Sequence, residues 1–458
     1  MMRVLLAYPY DPRDYWCIPP LSLGYIAQGL IVNGFKGDIF IEDLRKEKIP
    51  PENFSSYVRG KYGRVDFIGF QSFSPVISIV NRYVEEYRKE NPDCIFAVGG
   101  PHAIFETEDC FLRIPNLHYA FLGEAEESLP QILRGEEPDS NYAYRINGKI
   151  IKKRRVFLEN LDRYPMPAWE IMPDPSKYPL RPVGFFTRGR KVAPVIATRG
   201  CPYNCSYCGA PQASGKKIRK RSPELVAKEV EMLVSKYGID EIHFLDDNLT
   251  FDREYALSIC KYMKDIGVPW GCPNGVRLDR LDPELVIEME KSGCYAFSVG
   301  VESGSERILK LMRRGGDVLE KQKIRKQIEM IKRYTKIRVT AFFILGFPGA
   351  TYDDDIETIN FALSLPIDHA AFGCFAPLPG SAEWEKLKLQ RKTPDPSSLC
   401  IWKFSYVPEG RTKKELDLLK LRAFVSFYAR PKYIWNFVKG VKSFDQVKMV
   451  MKRFLDNK

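Results

Sequence analysis

Three cysteines within eight residues, Cys201, Cys205 and Cys208 in VAPVIATRGCPYNCSYCGAP, constrain this chain more than any other feature of its sequence. They follow directly on an apolar run that reads as a buried strand, and Gly200, Pro202 and Gly209 keep the segment as loop. Three thiols this close cannot all pair with one another as ordered disulfides, whereas three thiolates on one loop can grip a metal centre. Zinc would want a fourth Cys or His nearby, and the next histidine is His243. A cuboidal iron-sulfur cluster suits the donors better, and three cysteines leave one of its irons open to a further ligand. The remaining cysteines lie singly, with no second cluster spacing, and read as buried apolar fillers.

The 458 residues supply material for two or three domains with sizeable cores. Hydrophobic residues make up 45% and charged residues 28%, and no run approaches the roughly 18 to 20 uncharged apolar residues of a spanning helix. The opening MMRVLLAYPYDPRD holds an apolar run too short for a signal-peptide core, so a cytoplasmic protein is expected. In that compartment an odd number of cysteines, here 11, points to metal or free thiols before disulfides. The net charge of +12 comes from Lys and Arg spread along the chain, so no stable nucleic-acid complex is expected.

From Arg3 to about residue 140, short apolar segments alternate with helical periods: VLLAYP, Asp38 to Ile41, Asp66 to Phe70, CIFAVGG and His118 to Leu122. This alternation predicts an open, doubly wound, Rossmann-like parallel sheet that binds ligands beyond the carboxyl ends of its strands. There stand Gln71, Ser72 and Ser74, then Gly99, Gly100 and His102, then Gly123, Glu124 and Glu126. No G-x-G-x-x-G follows the first strand, which argues against a dinucleotide site. Residues 141 to 190 lose periodicity and collect prolines, as an extended linker does. From 191 to 386 a strand before the cysteines and five more, at Glu241 to Leu245, Val268 to Cys272, Tyr295 to Val301, Val339 to Leu345 and His369 to Phe375, alternate with helices. Six strands predict a partial (β/α)6 TIM-type barrel with its functional residues at the strands' carboxyl ends. Residues 387 to 458 read as a helical, aromatic-rich, basic region. It suits either a cap over the barrel mouth or an amphipathic surface making peripheral membrane contact and admitting a lipid.

The C-x3-C-x2-C spacing with Tyr207 before its last cysteine resembles the signature of the radical S-adenosylmethionine superfamily. The resemblance implies that Cys201, Cys205 and Cys208 hold a 4Fe-4S cluster whose open iron chelates S-adenosylmethionine, and that reduction cleaves this to a 5′-deoxyadenosyl radical. It further implies cofactor contacts from Tyr207 and from Asp246, Asp247 and Asn248 in FLDDN, while Arg277 in CPNGVR reads either as a planar fork pairing with the cofactor's carboxylate or as a solvated surface arginine. Glu302 and Ser303 in VGVESGS and Gly346 in LGFPG complete that set. FLDDN departs from the usual Gly-Gly-Glu and matches an Asp-Asp variant, though Asp and Asn also suit a plain turn and helix cap. A doubly wound domain ahead of such a barrel, with PPLSLGYIA, VGGPH, LGEAEES and YPMPAWE in that order, resembles the cobalamin-binding, class B methyltransferase-like branch. The Asp-x-His-x-x-Gly of domains that place a histidine on cobalt is missing. The lower face of cobalt is then expected to meet the loop Gln71 to Ser74, with His102 nearer the corrin or its nucleotide tail.

The function implied is movement of a methyl group from methylcobalamin to an unactivated carbon of a substrate radical. An electron donor such as a flavodoxin or ferredoxin would serve it, and the substrate would be a small molecule or a lipid. Cyclisation or rearrangement of a tetrapyrrole or lipid-type substrate with the same cofactors stays open. So does a metal-dependent nucleic-acid binder with a basic tail. No individual side chain is singled out as catalytic.

Overall fold

The computed structural model describes residues 1–12, 17–179, 187–313, 320–431 and 433. It resolves into two compact units, Met1–Pro179 with Asp395–Ser397, and Leu180–Pro394 with Ser398–Lys458.

Unit 1 is built on strands β1 (Arg3–Tyr8), β2 (Asp38–Asp43), β3 (Phe67–Gln71), β4 (Ile95–Gly99), β5 (Tyr119–Phe121), β6 (Tyr142–Ile146) and β7 (Lys149–Lys152). Their order is β2-β1-β3-β4-β5-β6-β7, with β1 to β5 parallel and β6 and β7 antiparallel. The parallel strands are short apolar runs because helices cover both faces of such a sheet. From β1 the chain goes first to β2 and then back past β1 to β3, so the strand order reverses between β1 and β3. A doubly wound sheet opens its ligand crevice at such a point, outside the carboxyl ends. The core is aromatic: Phe54 meets Tyr83 edge-on at 5.1 Å, and the Tyr87 hydroxyl accepts from Val65 N–H at 2.9 Å.

The stretch 141 to 190, expected as an extended linker, begins instead with the β6–β7 hairpin that extends the sheet from β5. Asn147 and Gly148 turn it, both left-handed at φ 48° and 76°, as a two-residue hairpin of this type requires. The cluster of prolines downstream drew the reading away from this Asn-Gly signal.

Unit 2 carries six parallel strands, β8 (Val192–Val195), β11 (Glu241–Phe244), β12 (Trp270–Val276), β13 (Cys294–Glu302), β14 (Arg338–Leu345) and β15 (His369–Cys374), side by side in that order. Between β8 and β11 lies a small antiparallel ladder of β9 (Thr198–Arg199) and β10 (Arg219–Lys220). This is the expected partial barrel. At the amino ends of its strands the buried Glu241 accepts from Gly189 N–H at 2.5 Å and the Tyr295 hydroxyl at 2.6 Å, and pairs with His243 at 2.7 Å. Polar groups at that end of such a barrel brace the fold and leave the opposite end for chemistry.

The helix Lys413–Tyr428 lies on the outer face of β15, where Phe372 meets Phe424 edge-on at 5.6 Å. The region after 386 was expected as a cap over the mouth or as an amphipathic surface for peripheral membrane contact. This helix packs on the barrel's flank, and its Leu416, together with Phe404, reaches Gly346 at the end of β14. Residues 434 to 458, the rest of the expected helical region, lie outside the described residues. Among the described residues no helix is long and apolar enough to cross a membrane.

The helix Leu21–Val32 sits so close to the loop after β5 that a Cβ on Gly29 would stand 2.6 Å from the carbonyl oxygen of Glu126. Gly29→Ala is therefore expected to cost about 1 to 3 kcal/mol, the usual range for overpacking, read as a lower urea midpoint at unchanged slope.

Candidate functional site

The cysteine loop leaves the carboxyl end of β8 under tight constraint. Gly200 adopts φ 106°, and a Cβ there would lie 2.3 Å from the Lys217 carbonyl oxygen, so only glycine lets the chain pass. Cys201 N–H then donates to Gly215 O at 2.9 Å, and Cys208 N–H turns back to Cys205 O at 3.2 Å. Between them Ser206 is anchored twice, donating to Met312 O at 2.9 Å and accepting from Glu383 N–H at 3.0 Å. Tyr207 packs on the apolar cluster of Ile308, Met312, Phe347 and Phe375.

All three thiols are half-buried. Burial pushes the Cys208 thiol up to about 12, with Cys205, Asp247 and Cys201 acting the same way and the Ala210 N–H, 3.4 Å from its sulfur, acting against them. Cys201 is raised by burial, then by Asp247 and Cys205. Thiols raised in this way at Cys201 and Cys208, on a half-buried loop, suit a cationic centre, which would reverse that balance. The donor chemistry therefore fits an iron-sulfur cluster. Among the described residues no three His, Cys, Asp or Glu side chains converge as a ready-made metal site, so the fit rests on donor type, spacing and loop anchoring.

The carboxyl ends of β11 to β14 divide the expected cofactor contacts into two groups. Asp246 is spent inside the protein: its carboxylate accepts from Thr198 N–H at 2.5 Å, the Thr198 hydroxyl at 2.7 Å and Ala197 N–H at 3.2 Å. Ser303 gives its hydroxyl to Thr358 at 2.9 Å and accepts from Ser305 N–H at 3.1 Å. Gly346, at φ 69°, is buried with Phe404 and Leu416 around it, so it offers no open backbone edge. Arg277 pairs both arms of its fork with Asp279, at 2.8 and 2.9 Å, which makes a cofactor carboxylate a competitor for it. These four are held by the protein itself.

Asp247 and Asn248 are placed differently. Asp247 lies within electrostatic reach of the thiols of Cys201 and Cys208, and desolvation raises its carboxyl against a hydrogen bond with Ser214. Asn248 is 1% exposed, and neither its amide oxygen nor its amide nitrogen has a partner among the described residues. A buried amide with both ends unpaired costs several kcal/mol, on the order of 2 to 6, unless a ligand satisfies it. Glu302 closes β13 in the left-handed region, φ 69°, at a register shift against β14. Strain of this kind on a non-glycine residue gathers at functional sites. Sequence reasoning missed Ser298, fully buried in β13 with an unpartnered hydroxyl. Its one signal was a lone serine inside the apolar run YAFSVGV.

In unit 1 the loops after β3, β4 and β5 bring the expected residues to one sheet end. Gly100, at φ 113°, would place a Cβ 2.7 Å from Ser72 O, and Ser72 N–H donates to Gly99 O at 2.6 Å. At Gly99 and Gly123 the nearest atoms to a Cβ lie 3.6 and 3.7 Å away, at ordinary contact distance, so neither position is closed to a side chain as Gly100 is. Gln71 accepts from the Ser22 hydroxyl at 2.7 Å. His102 is fully buried with both ring nitrogens engaged, Nδ1 with Ser74 Oγ and Nε2 with Asp109 Oδ2, each at 3.0 Å. It is no free ligand for a corrin or its tail. The Glu124 carboxylate accepts from Leu158 N–H at 2.6 Å, and the buried Glu126 accepts at its carbonyl from Asn33 Nδ2 at 3.1 Å. His118, the other histidine of this unit, precedes β5 at the amino end of the sheet.

Two family profiles match the chain: the Radical SAM superfamily over residues 195–362 and the B12 binding domain over 15–133. An uncharacterized methyltransferase of Pyrococcus horikoshii is 28% identical, the match covering 95% of this chain and 94% of that protein. Cytidylyl-2-hydroxyethylphosphonate methyltransferase of Streptomyces wedmorensis is also 28% identical, over 80% of this chain and 77% of its own length. The solved structure of the cobalamin-dependent S-adenosylmethionine radical enzyme OxsB, with aqua-cobalamin and S-adenosylmethionine bound, shares the fold. Its TM-score is 0.73 at 15% identity, over 100% of this chain and 72% of that one.

Burial pushes Asp246 up to about 6, against the hydrogen bonds it accepts. Because the folded value lies above the unfolded one, its contribution is fully present below about pH 4 and is lost as pH rises through about 6. Asp246→Asn presents the same one acceptor and one donor as the protonated carboxyl, so it is expected to match wild type at low pH and, lacking the cost of ionising a buried carboxyl, to become the more stable of the two above about pH 6. Melting temperatures of variant and wild type should then coincide near pH 4 and separate in the variant's favour as pH rises to 7.

Proposed function

This chain belongs to the cobalamin-binding radical S-adenosylmethionine enzymes, and from that membership we propose that it methylates an unactivated carbon of a small-molecule substrate. Both cofactor types follow from the two domains, and the methyltransferase relatives span most of their own length in the match. The observation that carries the reading is the glycine-hinged loop of three half-buried thiols at the carboxyl end of β8, in one chain with a β2-β1-β3-β4-β5 sheet. When bound, the cluster supplies the electron that cleaves S-adenosylmethionine to a carbon radical, and cobalamin supplies the methyl group.

The chain's own residues position these groups and exclude water. We assign unit 1 to cobalamin, with the backbone of Gly99, Gly100 and Gly123 as its floor and no histidine for the cobalt from His102. We assign unit 2 to the cluster and S-adenosylmethionine. Asp247 offers an anionic oxygen for the ammonium group of the methionine moiety, and Asn248 offers a donor and an acceptor that none of the described residues uses. Asp246 fixes the exit of β8 and so the start of the cysteine loop. Glu302, strained at the end of β13, is the acidic group for a ribose hydroxyl. The electron comes from an external donor such as a flavodoxin or ferredoxin.

Anaerobic reconstitution followed by product analysis tests the reading. Methylation gives both 5′-deoxyadenosine and S-adenosylhomocysteine, and changing Cys201, Cys205 and Cys208 together to Ala abolishes the first. Deoxyadenosine alone would favour cyclisation or rearrangement, and neither product would overturn the assignment. Asn248→Ala should weaken S-adenosylmethionine binding about tenfold at unchanged iron content, checked by equilibrium dialysis, since one lost buried hydrogen-bond pair is worth about 1.4 kcal/mol.

A further inference from the structure

Tyr203 lies between the first two cysteines of the loop, and its ring is enclosed by residues that follow β12 and β11. The Arg277 guanidinium sits 3.6 Å from the ring centroid, within reach of a strong cation–π contact. Asp279 grips that guanidinium through both oxygens, at 2.8 and 2.9 Å, which fixes the plane of the fork. Arg280 donates to the Tyr203 hydroxyl at 2.9 Å, and Phe251 meets the ring edge-on at 6.1 Å. Arg280 in turn lies 4.6 Å from the Phe251 ring. The Arg277 side chain is only 11% exposed, so this is a built contact and not a solvated surface arginine.

We propose that Arg277 is a positioning residue of the cysteine loop, holding Tyr203 flat so that Cys201 and Cys205 keep a fixed separation and a fixed cation lies beside Cys205. The assignment replaces the expected role of Arg277 as a ligand for the cofactor carboxylate. It rests on the reading that the loop binds a cluster, although the clamp itself is a property of the polypeptide. Two consequences separate. The planar stack governs how rigid residues 201 to 208 are with no iron bound. The charge governs how easily a cluster on those cysteines accepts an electron, since a nearby cation stabilises the more negative, reduced form.

Amide hydrogen exchange of the loop in the full-length, iron-free chain tests the first consequence. Arg277→Gln and Tyr203→Leu should speed exchange about tenfold, whereas Tyr203→Phe, which keeps the ring, should stay near wild type. Exchange in β11 to β14 reports whether a variant has unfolded as a whole, in which case the milder Arg277→Lys decides. The second consequence is read in the reconstituted protein, where Arg277→Gln should shift the cluster midpoint potential negative and Arg277→Lys should not. Wild-type exchange in both Arg277 variants overturns the clamp. So does loss of S-adenosylmethionine affinity in Arg277→Gln with loop exchange unchanged, because that pattern belongs to a carboxylate ligand. A wild-type chain that takes up no iron and sulfide would sink the functional reading while leaving the exchange result to judge the clamp.

Discussion

The Asp246 carboxylate, almost wholly buried at the end of β11, accepts from the backbone of Ala197 and Thr198 and from the Thr198 hydroxyl, and the rest of the candidate site inherits its position from those bonds. They hold the chain as it exits β8, two residues before Gly200 admits it to the space beside Lys217. Tyr255 adds a second tie, its hydroxyl donating to Arg221 O at 2.7 Å and to Ala197 O at 3.2 Å. Burying a carboxylate is costly, and the raised Asp246 pKa is the sign of that cost. A loop that must present three sulfurs in one geometry justifies it, since small displacements of reacting groups lose large factors in rate.

Around this frame the electrostatics are divided. Asp247 and the thiols of Cys201 and Cys208 bring acidic groups together near the loop, while Arg277 and Arg280 bring cations to Tyr203 within it. Charges of both signs near one centre let the protein tune its ease of reduction through residues that never touch it.

The five parallel strands of unit 1 and the six of unit 2 were legible because strands covered on both faces read as continuous apolar runs punctuated by glycine. The cysteine loop was legible from spacing alone. The roles of Asp246 and Arg277 were not, since each is set by a partner far away in sequence: Thr198 lies 48 residues from Asp246, and Tyr203 lies 77 residues before Arg280, with Arg277 close by. Residue type admitted both ligand and scaffold, and only the partner distinguished them. Asn248 shows the converse case. Its place in FLDDN suited a turn as well as a ligand, and it is the lack of a partner for its amide among the described residues that sets it apart.

The β6–β7 hairpin has a consequence for how unit 1 behaves among other copies of itself. Without it the sheet would end at β5, a strand of three residues that carries the Gly123 to Glu126 loop. The hairpin moves the unpaired edge to β7, whose two ends are the exposed lysines Lys149 and Lys152. Lysines on an edge strand repel the approach of another chain's edge. The strand beside the ligand loops is thereby kept out of any intermolecular ladder, and crowding in the cell is turned away from the part of the sheet that has a molecule to receive.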